Sequence, residues 1–318
     1  MLIVAVWTIS ILSLLAIGAG YHAWLEMKLT SLELDRMKEQ RLVLAAVELA
    51  RGVLPDDLGK PITLKDPWAD NATLFKEVRL DEGTFSVVRR VFPDDPDATT
   101  AYGLEDESGR ISLNKAPKAA LQALMGDDSD DAAQSILDWR QAIADDQRRK
   151  EVDSFYAELP HPYPCKHAPF ESIDELLLVR GVDQARFARL RPWVTVFADR
   201  VNVNTAPKTV LTALGLSDDL ADKIVEYRRS ADAEDARPGA GVFANVSQIT
   251  QNLETSLEDN AQLAAIQPLL GVGSRAFRLH VEVWPGDRPI AARRPARYEV
   301  VLEFKGSGEW AIKEAARE

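Results

Sequence analysis

The chain has 318 residues, with 38 Lys plus Arg against 50 Asp plus Glu and a formal net charge of −12. The length allows more than one core at about 100–200 residues per domain, and the acidity argues against a free nucleic-acid binder, whose footprint is a basic face. Cys165 is the single cysteine, so no intrachain disulfide can form and the fold must hold by its core.

From Met1 to Leu25 there is no charged residue, and Glu26 is the first. Helical residues rise about 1.5 Å each, so this stretch reaches roughly 37 Å, enough to cross a hydrocarbon layer of about 30 Å. Leu2, Ala5 and Leu25 belong to the apolar run, and Trp7, Tyr21 and Trp24 supply interfacial aromatics. A secretory signal peptide is a poor fit, because there is no basic n-region and the apolar run is too long. Leu25, Leu29 and Leu32 share one helix face, as do Leu42, Ala46, Leu49 and Val53. Gly52 and Pro55 end the pattern. The spacing predicts one helix of about 50 residues, its first half in lipid and its second half against a soluble domain.

Asp56-Asp57, Gly59, Pro61, Pro67 and Asn71 mark residues 56–73 as loop. Phe85, Val87 and the run from Val88 to Phe92 suit a strand with one buried face, followed by a turn at Pro93–Pro96. Asp106–Gly109 is another turn. The chain then says nearly the same thing twice. Arg110-Ile-Ser-Leu-Asn114-Lys-Ala116-Pro117 recurs ninety residues later as Arg200-Val-Asn-Val-Asn204-Thr-Ala206-Pro207. Each copy runs on to an aromatic and an arginine, Trp139-Arg140 and Tyr227-Arg228. A repeat of this length marks duplicated helical units. Asn114 and Asn204 are expected as N-caps, with each Pro inside the first turn. Ser172 with Glu175 reads as a capping box, and Phe243 to Ile249 weakly echoes the segment from Phe170. Pro160–Pro169 and Ala231–Gly241 read as loops. At the end, Phe277, Leu279, Val281 and Val283 alternate with polar residues, as do Tyr298, Val300, Leu302 and Phe304, which predicts a hairpin.

Strands therefore flank a helical block. The expected fold class is α+β: a long N-terminal helix packed on an antiparallel sheet, with a large all-helical insertion of helix-hairpin-helix or SAM-like repeats. The expected divisions are a transmembrane helix at 1–25, a pilin-like helix and first strands at 26–112, the insertion at 113–272 and closing strands at 273–318.

This order of parts, with Asp106-Glu-Ser-Gly-Arg-Ile-Ser-Leu-Asn114 and Val201-Asn-Val-Asn-Thr-Ala-Pro207, resembles the minor pseudopilin K family of type II secretion systems (the GspK family). The resemblance covers nearly the whole chain. It implies a non-enzymatic, single-pass inner-membrane protein with its C-terminal domain in the periplasm, at the tip of a short pseudopilus. There it would help initiate or cap the fibre and support export across the outer membrane. The implied partners are minor pseudopilins I and J, with other pseudopilins and the inner-membrane assembly platform as further candidates. In the family a short basic leader ending in Gly is removed. None precedes Met1, which fits a chain numbered from its mature end or one begun at a misplaced start codon. Most pilins carry Glu at position 5, whereas this chain has Ala5, as is usual for the K subunit.

The repeated phrase also resembles helix-hairpin-helix modules of membrane-tethered competence receptors that capture DNA, which is the alternative reading. Such a hairpin needs a Gly-x-Gly-like turn whose N–H groups face a phosphate. Here Met125-Gly126, Leu214-Gly215 and Arg180-Gly181 are each followed by aspartates. Residues 113–272 hold 17 Lys plus Arg against 25 Asp plus Glu, a net of −8 that opposes phosphate contact. His161, Cys165 and His167 offer zinc-type ligands in a proline-bound loop, with an irregular surface loop as the plain reading. Asp127, Asp128, Asp130 and Asp131 have the oxygens calcium favours, and the family resemblance makes calcium a candidate ion. No EF-hand loop is present, helix N-terminal charge explains the same residues, and no ligand set is assigned. No cofactor is required. Arg288, Arg293, Arg294 and Arg297 form a basic turn open to an acidic partner. No nucleophile elbow or phosphate-cradling loop is found, so catalysis is not expected.

Overall fold

The computed structural model describes residues 2–89, 101–126, 129–230, 241–286, 294–306 and 308–317. The first helix, α1, runs Leu2–Val53 without a break, as the periodicity predicts. Its burial is divided. Side chains bury from Glu39 onward, through Leu42, Val43, Ala46, Val47 and Ala50. Before that point the helix stands clear of the body, with Leu2 82% and Trp7 67% exposed. The expectation that the soluble domain covers the helix from its midpoint is corrected here, since Leu29 and Leu32 remain 52% and 51% exposed. The sheet beneath α1 reaches only as far as Glu39, which accepts from Tyr298 Oη at 2.7 Å and pairs with Arg317 at 3.3 Å. Residues 26–38 thus form a helical stalk of about 20 Å between the apolar span and the body.

Beyond α1 come α2 (Ala72–Phe75), β1 (Val78–Leu80), β2 (Gly83–Arg89), β3 (Ala101–Tyr102) and β4 (Glu105–Asp106). A first helical unit opens with β5 (Ile111–Ser112). It continues through α3 (Lys118–Met125), α4 (Asp130–Arg140), α5 (Asp146–Ala157), a 3-10 segment (Ile173–Leu178) and α6 (Gln184–Leu190), and closes with β6 (Val194–Thr195). A second unit opens with β7 (Val201–Asn202), holds α7 (Lys208–Ala213), α8 (Asp218–Ser230), α9 (Gln248–Asn252) and α10 (Leu257–Ile266), and closes with β8 (Leu270–Gly271). The chain finishes with β9 (Ala276–Pro285), β10 (Ala296–Gly306) and β11 (Glu309–Arg317).

The main sheet is antiparallel in the order β1-β2-β9-β10-β11, with β3 added to β2 and β4 to β9. The predicted final hairpin is β9–β10, in register with Leu279 opposite Val300. Phe85, Val87, Phe277, Leu279, Val281, Val283, Val300 and Leu302 pack beneath Leu42, Ala46, Val47 and Ala50. The alternation in β9 suggested one apolar face and one wetted face. Arg278 and His280 on the second face are nevertheless buried, because the helical units sit against it. β11 has a helix-like composition of Ala, Glu and Lys, yet it forms a strand because β10 offers it an unpaired edge.

The helical units share one continuous core, in which Leu121, Ile136, Trp139 and Leu176 join Leu211, Ile224 and Phe243. The fold is α+β, a long helix on an antiparallel sheet with a helical head inserted between β4 and β9. The expected continuation of a strand to Val91-Phe92, the turn at residues 93–96, the loop over 231–240, and Asp127, Asp128, Arg288 and Arg293 all lie outside the described residues.

Candidate assembly interface

The duplication is deeper than the repeated phrase. In each unit the incoming strand pairs in parallel with the outgoing one, Ile111 with Val194 and Val201 with Leu270. Asn114 and Asn204 are not N-caps. The helices begin behind Pro117 and Pro207, which occupy the cap positions without a side-chain hydrogen bond. One tight turn intervenes, with Ala116 N–H on Ser112 O and Ala206 N–H on Asn202 O, and it moves each asparagine away from the helix end.

The asparagines instead latch distant backbone. Asn114 Nδ2 donates to Phe170 O at 3.0 Å and Oδ1 accepts from Phe170 N at 2.7 Å. Asn204 does the same to Phe243, at 3.0 and 2.9 Å. Arg140 and Arg228 donate to the carbonyls of Leu113 and Val203, at 2.5 and 3.0 Å. The aromatic-arginine pairs read from the sequence are therefore the arms that close each unit. Ala116 and Ala206 are buried where the turn meets the core. The weak echo between the Phe170 and Phe243 segments is the second half of the repeat, and the predicted capping box at Ser172 and Glu175 is formed. Asn204→Ala should cost about 1–3 kcal/mol, since it leaves a buried N–H and C=O unpaired. Asn114→Ala should cost less because Asn114 is partly exposed. Urea unfolding followed by tryptophan fluorescence checks the order.

Head and sheet meet at a charged seam. Glu107 accepts from Arg278 Nε at 2.5 Å, from Arg110 Nη1 at 2.7 Å and from the Thr195 hydroxyl. Arg110 also pairs with Glu105, and Arg278 with Glu299. His280 Nε2 lies 3.2 Å from Glu105 Oε1. Asp106 accepts from Ser108 N–H at 2.7 Å, Asn202 Nδ2 at 3.0 Å and Thr205 Oγ1 at 2.7 Å. Asn202 Nδ2 also donates to Ile62 O at 3.0 Å, which ties in the loop after α1. Burial works to raise Glu105, but Arg110, His280 and Arg278 outweigh it and hold the carboxyl at about 2. Burial likewise opposes ionisation of Glu107, yet Arg278 and Arg110 keep it below the usual carboxylate range. For Asp106 burial wins over its hydrogen bonds and pushes it up to about 6. In the sequence, Asp106 to Gly109 reads only as a turn, and its buried partners on β9 are hidden by their ordinary strand alternation.

The turns after α3 and α7 keep their glycines for backbone reasons, with φ of +91° at Gly126 and +108° at Gly215. Lysines near these turns are occupied by aspartates. Lys118 pairs with Asp130 at 2.8 Å, Lys208 with Asp222 at 2.7 Å and Lys223 with Asp219 at 2.7 Å. The zinc-type trio is likewise dispersed. His167 bonds Asp153 at 2.8 Å and the Asp138 carbonyl at 3.2 Å, Cys165 is buried and His161 is exposed. Among the described residues no three His, Cys, Asp or Glu side chains converge on a metal position. Asp130 pairs with Lys118 and accepts from Gln122. Arg297 of the basic turn pairs with Glu282 at 2.9 Å.

Two exposed apolar surfaces lie on α1. Leu2, Ala5, Trp7 and Leu25 lie on the uncovered part of α1, a helix long and apolar enough to cross a membrane. On the stalk, Leu25, Leu29 and Leu32 make the stripe read from sequence. Met27, Leu34 and Met37 make a second, opposite stripe, also exposed, since successive residues turn by about 100°. Exposed apolar surface of this kind marks an interaction face.

Two family models, both described as type II secretion system (T2SS), protein K, match residues 93–199 and 201–272, together more than half of the chain. Their division falls between β6 and β7, where the first unit ends and the second begins. A relative, type II secretion system protein K of Klebsiella pneumoniae, is 26% identical over 276 residues, covering 78% of this chain and 76% of its own. A chain in the crystal structure of the GspK-GspI-GspJ complex from the enterotoxigenic Escherichia coli type 2 secretion system shares the fold. Its TM-score is 0.65 at 18% identity, over 89% of this chain and 98% of that one. Both helical units thus lie within the segments that the two family models match, and the chain belongs to the type II secretion system protein K family.

Proposed function

We propose that the chain is a non-enzymatic minor pseudopilin at the tip of a type II secretion pseudopilus, where it helps start or cap the fibre and so supports export across the outer membrane. Its span anchors it in the inner membrane before assembly, and its body lies in the periplasm. Its partners are minor pseudopilins I and J, which meet the two apolar stripes of the stalk. The observation that carries this reading is the bare first part of α1, which leaves its apolar side chains for lipid and then for neighbouring helices. Ala5 supports the tip position. A carboxylate in a bilayer costs about 2.5 kcal/mol or more when unpaired, and a subunit with nothing above it has no partner for one.

Ala5→Glu is expected to leave membrane insertion intact and to reduce pseudopilus initiation, read as fibres per cell by immunolabelling. Unchanged initiation would remove the support Ala5 gives. Co-expression of the full chain with minor pseudopilins I and J should yield a heteromer from detergent extract. Failure to recover either partner would overturn the assignment and favour a lone membrane-tethered receptor. For the DNA-receptor alternative, a low-salt gel shift with the full chain is expected to show no complex, because aspartates hold the lysines at the helical turns.

A further inference from the structure

Three consecutive carboxylates, Glu105, Asp106 and Glu107, are buried where the chain passes from sheet to head. The cations within reach are engaged by the outer two and by Glu299. Arg110 holds Glu105 and Glu107, Arg278 holds Glu107 and Glu299, and His280 lies between Glu105 and Glu299. Glu314 on β11 adds negative charge that acts on Arg278. Asp106 is left with neutral donors, the Ser108 N–H, the Asn202 amide, and the Thr205 and Ser274 hydroxyls. These donors belong to the incoming segment, the start of the second unit and the outgoing segment, so one carboxyl group ties together the parts that orient the head.

A neutral Asp106 has a place here. Its proton can go to Thr205 Oγ1, whose own hydrogen then turns to Asn202 O, 3.5 Å away. An ionised Asp106 keeps its acceptor role but is buried with no ion-pair partner of its own among the described residues, flanked by two carboxylates, and both desolvation and like charge oppose it. We propose that Asp106 makes the joint between head and sheet a proton-sensitive latch, closed when the carboxyl is neutral and loosened when it is ionised.

The direction of its titration agrees, since burial raises Asp106 from 3.8 to about 6. A carboxyl raised by folding contributes its stability fully below its unfolded value, and that contribution is lost as pH rises to the folded value. For Asp106 the loss falls between 3.8 and about 6 and persists above it.

Hydrogen exchange on the full chain in detergent micelles tests the latch. The reporters are the amides of Leu113 and Val203, which donate to Thr195 O and Gly271 O across the closing strands of the two units. After correction for intrinsic exchange, their opening constant should rise about tenfold from pH 5 to pH 7.5. Amides of α1 around Leu42–Ala50 serve as the unaffected control. Asp106→Asn should abolish the rise. A flat wild-type profile, or a rise that persists in Asp106→Asn, would overturn the proposal. Should Asp106→Asn fail to fold, the wild-type profile alone decides, because an opening constant that does not rise between pH 5 and pH 7.5 overturns the latch.

Discussion

Glu107→Ala should destabilise the protein by about 3–5 kcal/mol, the range expected when one partner is removed from a buried ion cluster. Glu107 is fully buried. Its carboxylate joins Arg110 from the incoming segment, Arg278 from β9 and Thr195 from the end of the first unit. Its loss leaves two guanidinium groups with one carboxylate each, Glu105 and Glu299, and a hydroxyl without its acceptor. The cost comes from lost charge-assisted hydrogen bonds more than from lost volume. Arg278→Met and Glu107→Ala remove the same contacts, so the double variant should lose less stability than the two single losses added together. Urea unfolding of the wild type, both single variants and the double variant measures the coupling. A double loss equal to the sum of the single losses would sink the charge explanation. The seam also has an acid limit. Glu105 and Glu107 are both held below the usual range, so their contribution is present above the unfolded value and lost as pH falls. For Glu105 that loss runs from 4.5 to about 2. Asp106 works in the opposite sense, and the two limbs separate on a pH profile.

The parts of this fold that a sequence reader can see are those with long periods. α1 is legible because its first 25 residues carry no charge and neither Pro nor Gly interrupts it from Tyr21 to Arg51. The β9–β10 hairpin is legible because Phe277 to Val283 alternate without fault. The helical units are legible because Asn-x-Ala-Pro occurs twice. The asparagines' task was not legible, since an asparagine before a helix has the same local signature whether it caps that helix or latches a phenylalanine 39 residues further on, as Asn204 does. Arg278 and His280 misled for a related reason. Charged residues alternating along a strand normally face water, and only Glu105 and Glu107, more than 170 residues earlier in the case of Glu107 and Arg278, convert that face into a seam. The stalk's partner is not legible because apolar spacing marks a face that wants a partner without saying whether the partner is in the same chain. Within the closing strands expected over 273–318, β11 has no strand signature of its own, because tertiary pairing overrides its local preference.

Trp68 is the sharpest case of a residue hidden by its surroundings, and Trp68→Ala should cost about 3–5 kcal/mol. It lies in the segment read as loop, among Pro61, Pro67 and Asn71, yet its side chain is 0% exposed. Its ring meets Phe277 edge-on at 4.8 Å, and Phe277 in turn meets Trp310 at 5.4 Å. Trp310 Nε1 donates to Pro55 O at 3.1 Å, which fixes the chain just past the end of α1. The row of rings thus fills the end of the sheet core between the post-helix loop and the last strand. Backbone packs as closely as the rings do, for a Cβ on Gly103 would fall 2.4 Å from the Trp68 carbonyl oxygen. Removing the indole leaves a cavity that this loop, held by Leu104 N–H on Trp68 O at 2.8 Å, cannot readily close. The midpoint of thermal unfolding should drop by roughly 10 °C, while Trp68→Phe should recover much of the loss. Because the head has its own core, exchange protection should fall first in β9 and in α1 from Leu42 to Ala50. Protection in α3, α4 and α7 should hold. Equal loss in both regions would mean that the seam makes sheet and head one cooperative unit, and the idea of two separately stabilised cores would have to be given up.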